Sequence, residues 1–81
     1  DIQVGMELQG TIRNVVDFGA FVDIGVKQDG LVHISRMKKG FVKHPSDVVA
    51  VGDIVTVWVI EIDMKKGRVA LSMLPPVEKD A

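Results

Sequence analysis

Apolar and polar residues alternate with a period of two through most of this chain, and that rhythm narrows what it can become. Successive side chains of a strand point to opposite faces, so alternation produces one buried face and one wet face. A helix needs a 3.6-residue repeat instead, and no long helical pattern is present. In "MELQGTIRN" the apolar positions are Met6, Leu8 and Ile12, with Gly10 standing where another would fall. "GAFVDIG" sets Ala20, Val22 and Ile24 against Phe21 and Asp23, and "GLVHIS" sets Val32 and Ile34 against Leu31 and His33. "DIVTVWVIEID" runs through Val55, Val57 and Val59 and then slips by one position to Ile60 and Ile62. "GRVALSM" closes the series with Val69, Leu71 and Met73, making five expected strands.

The connections carry turn chemistry. Val16-Asp17 predicts a tight first reversal, "GVKQDG" a second, and the "MKKG" ahead of the last strand a third. One long excursion, "RMKKGFVKHPSDVVAVG", separates the third and fourth strands. Within it Ser46, following Pro45, is placed to cap a short helical turn over Asp47–Val51, stopped by Gly52. The tail "PPVEKDA", residues 75–81, is too rich in proline and charge to add to a core and is expected to be a flexible linker after a domain spanning residues 1–74. Short strands with one long insertion suit an all-β fold: a five-stranded antiparallel barrel of the OB type, with a short helical turn between the third and fourth strands. Closure removes unpaired strand edges, and Gly10 suits the sharp bend of a barrel corner. An SH3-like barrel fits these strand lengths and insertions less well.

A chain of 81 residues forms one domain and hides only roughly 60% of its unfolded surface, yet at 47% hydrophobic it folds without staples. It has no cysteine, so a disulfide framework and a thiolate metal site are excluded. No apolar run approaches the ~20 residues of a membrane span, and the start lacks a signal-peptide layout. The expectation is a cytoplasmic domain of a longer chain, with no membrane partner, monomeric when isolated. The formal charge of −1 argues against a strongly basic nucleic-acid binder. Distribution tempers this, because the span Lys27–Arg68 holds eight basic residues against five acidic ones.

The run "DFGAFVDIGVKQDGLVHIS", followed by "VGDIVTVWVIEIDMKKGRVALSM", resembles the RNA-binding domain repeated in ribosomal protein S1, the S1 motif. The similarity extends from about Gly5 to Met73. It implies an OB-fold that binds single-stranded RNA, and often single-stranded DNA, inside a larger transcription or RNA-metabolism protein. The contact surface implied is two aromatics on the second strand, a histidine on the third, and an acid and a base flanking the last hairpin. The matching positions are Phe18, Phe21, His33, Asp63 and Arg68. The hairpin "DMKKGR" is one residue longer than in some relatives.

Each of these positions also has a plainer reading. Phe21 shares its face with Asp23 and turns outward, where a base can stack on it or the long loop can cover it. Phe18 joins the core by strict alternation, unless a kink or bulge at Gly19 turns it out beside Phe21. His33 points away from the interior and can stack on a base or donate to a phosphate. Arg68 can pair with phosphate or stack, while Asp63 can accept from a base amino group, orient Arg68 or form a structural salt bridge. Lys38, Lys39, Lys43, Lys65 and Lys66 are loop charges that as phosphate contacts act collectively and without sequence information. Trp58 points outward with Thr56, off the implied binding face, and suits docking against another domain of the parent chain or, secondarily, an extra stacking platform.

No cofactor or catalytic machinery is indicated. His33 and His44 alone make too few ligands for zinc, no phosphate loop of the P-loop kind is present, and no paired carboxylates flank a base. The expected function is therefore binding of single strands by stacking plus phosphate contact, the alternative being a protein-docking barrel. Salt separates the two, since phosphate contact weakens steeply with added salt.

Overall fold

The computed structural model describes residues 2–38 and 40–74; Asp1, Lys39 and residues 75–81, the stretch expected to be a linker, lie outside them. The expected strands form as β1 (Glu7–Val16), β2 (Gly19–Asp23), β3 (Asp29–His33), β4 (Ile54–Asp63) and β5 (Arg68–Ser72). They close in the order β1-β2-β3-β5-β4, with β4 returning to β1. The sheet is not wholly antiparallel, because β3 and β5 pair in parallel, Leu31 opposite Ala70 and Val32 opposite Leu71. Alternation carries no strand direction, so this pairing had no trace in the pattern. It arises from the long β3–β4 connection, which lets β4 pair on the far side of β5.

β1 serves two partners. Glu7–Thr11 pairs with β4 and Thr11–Val16 with β2, so the strand bends where the ladders meet. Gly10 lies at that bend: a Cβ there would stand 2.3 Å from Cγ1 of Val22. The glycine expected at a barrel corner is thus the place where a neighbouring strand's side chain fills the missing Cβ. Beyond it the register slips at Arg13, between the Ile12–Val22 and Asn14–Phe21 pairs. This is a bulge, which adds local twist.

The inward residues form one core of Ile12, Ala20, Val22, Val32, Val57, Val59, Val69 and Leu71, joined from the long connection by Met37 and Val49. Each large aliphatic side chain buried there contributes about 1.5–3 kcal/mol relative to exposure. The slip in β4 is a second bulge at Ile60, between the Val59–Leu71 and Glu61–Ala70 pairs. Ile62 returns to pack on the core, whereas Ile60, expected inside, is 39% exposed as the bulged residue.

The helical expectation needs correction. Instead of a turn over Asp47–Val51 capped by Ser46, a 3-10 turn spans Pro45–Asp47 with His44 at its N-cap. Proline occupies the first helical position because its fixed φ suits a helix start and its missing N–H is not needed there. A second 3-10 turn, Ile34–Arg36, comes directly after β3. No helix among the described residues is long and apolar enough to cross a membrane.

Candidate nucleic-acid interface

β2 and β3 carry the implied contact surface, and the burial of alternate residues aims it. Ala20 and Val22 are buried, so Phe21 and Asp23 face out; Gly30 and Val32 are buried, so Leu31 and His33 face out. The registers place Asn14, Phe21, Leu31, Ala70 and Glu61 opposite one another in a single row across β1, β2, β3, β5 and β4. Phe21 is half-buried within that row.

Phe18 also stands outside, at 49% exposure, but a bulge at Gly19 is not the reason. The first reversal falls at Asp17-Phe18, one residue later than expected, so Phe18 is a turn residue and strand alternation does not apply to it. Gly19 already belongs to β2, paired opposite His33. Its role is close approach: a Cβ there would lie 2.1 Å from the Val32 carbonyl oxygen. The two phenylalanine rings meet edge to face, with centroids 6.3 Å apart and planes at 84°. Such T-shaped pairs hold their geometry through the ring quadrupoles, worth about 0.5–1.5 kcal/mol beyond area. A half-exposed, mutually oriented aromatic pair is a ready stacking surface.

His33 ends β3 and caps the Ile34–Arg36 turn. Its Nδ1 accepts from the Ser35 N–H at 3.2 Å, with Ser35 Oγ 2.9 Å from the same nitrogen. An accepting Nδ1 bears no proton, so the neutral ring carries its N–H on Nε2. That donor has no partner among the described residues and is available to a ligand.

At the other end of these strands Arg68 sits in register between Asp29 on β3 and Asp63 on β4. Neither aspartate pairs with it. The one ion pair among the described residues is Arg13–Asp23, at 3.8 Å between exposed groups. Asp63 instead stabilises its hairpin, its Oδ1 accepting from the Lys66 N–H at 3.1 Å. The structural salt bridge considered for Asp63 is therefore replaced by a turn hydrogen bond, and the Arg68 guanidinium remains exposed. Lys65 and Lys66 stand exposed in the β4–β5 turn, and Lys38 is exposed beyond the Ile34–Arg36 turn.

Two shallow depressions flank the row. One, of about 290 Å³, is lined by residues including Arg13, Phe21, Asp23, Gln28 and Asp29. The other, of about 160 Å³, is lined by Glu61, Asp63, Lys66, Arg68 and Ala70. Arg13, Gln28 and Asp29 were not among the expected site residues. The doublet Arg13-Asn14, two polar residues in succession within an alternating strand, was the signal of the bulge that brings Arg13 there. Among the described residues no group of three or more His, Asp or Glu side chains is placed to hold a metal ion.

Comparison with known proteins agrees with this geometry. The family model described as the S1 RNA binding domain matches residues 1–74. The protein YdcI of Bacillus subtilis is 76% identical over 74 residues, covering 91% of this chain and 10% of that protein. The transcriptional accessory protein Tex of Neisseria gonorrhoeae is 58% identical over 73 residues, covering 90% of this chain and 10% of its own. The chain thus spans about a tenth of the length of these relatives. Among solved structures, GSP13 from Bacillus subtilis superposes with a TM-score of 0.85 at 35% identity, covering 100% of this chain and 65% of that one. A chain of the a/eIF2alpha–aDim2p–rRNA complex from Pyrococcus horikoshii superposes with a TM-score of 0.83 at 25% identity, covering 90% of this chain and 45% of that one. The match of the S1 RNA binding domain model over residues 1–74, on a closed five-stranded barrel, makes this chain a member of the S1 RNA-binding domain family.

Proposed function

We propose that this domain binds single-stranded RNA across β2 and β3, bases stacking on Phe18, Phe21 and His33, as one module of a larger transcription or RNA-metabolism protein. The observation that carries the reading is the edge-to-face pair Phe18–Phe21, held on the outer wall of the barrel rather than in its core. Stacking on such rings tolerates any base, so the binding is largely independent of sequence and extends to single-stranded DNA. Arg68, Lys38, Lys65 and Lys66 meet phosphates, and Asp63 supports Arg68's hairpin. The module binds without catalysing a reaction and acts as a monomer in the cytoplasm. Trp58, half-buried on β4 away from β2, contacts a neighbouring domain of the parent chain.

Amide chemical-shift titration with short unstructured RNA and DNA oligomers tests this. Shifts are expected at Gly19–Asp23, Leu31–Ile34 and Gly67–Val69, fading as salt rises. Shifts confined to the surroundings of Trp58, or insensitive to salt, refute it.

A further inference from the structure

The third phenylalanine has no place in the interface on β2 and β3. Phe41 lies in the long connection between β3 and β4 and is 83% exposed, the most exposed of the large apolar side chains among the described residues. Its neighbours show that the exposure is not a want of anchorage. Met37 is 3% exposed, Val42 is 9% exposed, and Pro45 is buried. The connection is pinned to the barrel on both sides of Phe41 and presents that ring outward.

The sequence on either side of the ring is cationic. From Arg36 to His44 the sequence holds four basic residues and no acid, and Arg36, Lys38 and Lys43 are exposed. The depressions around Phe21 and Arg68 differ: together they are lined by Arg13, Lys66 and Arg68 against Asp23, Asp29, Glu61 and Asp63. A polyanion crossing the strands therefore finds its excess of positive charge at the opposite end, where the connection begins. That beginning is tied to Phe18, whose carbonyl accepts from the Ile34 N–H at 2.8 Å, and to the end of β5, where the Met73 N–H donates to the Arg36 carbonyl at 2.9 Å. Lysine is depleted at protein–protein interfaces, whereas cations interleaved with an exposed ring are the makings of a single-strand site.

We propose that Phe41 is a second stacking platform: a bound single strand leaves the sheet past Phe18 and continues onto the β3–β4 connection, with a base on Phe41 and phosphates at Arg36, Lys38 and Lys43. This rests on the proposed binding of single strands across β2 and β3 and adds to it a longer footprint with a defined exit.

The test compares two lengths of fluorescein-labelled oligouridylate by anisotropy, about four and about twelve nucleotides, within the range of site sizes for single OB domains. Phe41→Ala is expected to weaken the longer oligomer about tenfold, the loss of one stacked base, and to leave the shorter one unchanged. Phe41→Trp restores the longer oligomer's affinity. Lys43→Ala lowers the log–log salt slope by about 0.7 on the longer oligomer alone. Phe21→Ala weakens both lengths and so reports on the sheet face separately. If Phe41→Ala binds both oligomers like the wild type while Phe21→Ala does not, the platform is refuted, the sheet-face reading stands, and the loop is left to a protein neighbour. Equal loss on both lengths also refutes the platform. If the wild type binds neither oligomer, both readings fall.

Discussion

Replacing Gly19 by alanine probes how the fold holds its interface. An added Cβ would lie 2.1 Å from the Val32 carbonyl oxygen, 3.0 Å from its carbon and 3.1 Å from the His33 Cα, all of them backbone atoms that no rotamer change can move. β3 must retreat from β2 by about 1 Å, since packed interiors hold no such slack. Overpacking of this kind costs about 1–3 kcal/mol, which in a domain of this size lowers the melting temperature by roughly 5–20 °C. The damage is directed, because Gly19 lies opposite His33 and beside the bond from Ile34 N–H to the Phe18 carbonyl. Separating the strands there parts Phe18 and Phe21 from His33. RNA affinity should therefore fall about tenfold or more, the equivalent of one lost stack, at a temperature where the variant is still folded. Gly10→Ala is the control: it collides with the Val22 side chain on the inner face of β2, opposite the face that carries Phe21, and should lower stability while leaving the affinity of the folded protein unchanged. Thermal unfolding by circular dichroism and anisotropy with an unstructured oligomer supply the two readouts. If Gly19→Ala melts within a degree or two of wild type, the close approach of β2 and β3 is not what the geometry indicates. If it loses stability but binds RNA unchanged, that approach does not position the aromatic face.

Two smaller perturbations address the β4–β5 hairpin. Asp63→Ala removes the acceptor of the Lys66 N–H and should cost about 1 kcal/mol, a fall of about 4–8 °C in melting temperature. Asp63→Asn keeps an acceptor oxygen and should recover most of that, so equal melting of all three proteins would show the turn bond to be idle. Arg68→Ala should flatten the log–log salt dependence of RNA binding by about 0.7, one phosphate contact; an unchanged slope would remove Arg68 from the phosphate path.

What could be read in the sequence depended on whether a residue lay within a regular strand. Ala20, Val22, Val32, Val57, Val59, Val69 and Leu71 alternate strictly, and all are buried. The slip after Val59 was visible because two isoleucines broke the phase, though which of them lay inside was not, as the bulge at Ile60 shows. Pairing direction left no mark, so the parallel β3–β5 ladder came only from the fold. The connection between β3 and β4 has no period at all, and its features are local: a histidine capping a turn two residues on, a proline opening another, a phenylalanine left outside between anchored neighbours. Phe18 shows the same boundary most sharply. Three residues from Phe21, it would face the opposite side of a continuous strand, and a reversal one residue earlier would have put it into β2 with the core. Because the turn takes Asp17 and Phe18 together, the ring is released from the strand's phase and meets Phe21 edge to face on the outer wall. The interface is thus set by where one turn falls, and Gly19 allows the turn to fall there by letting β3 come close behind it.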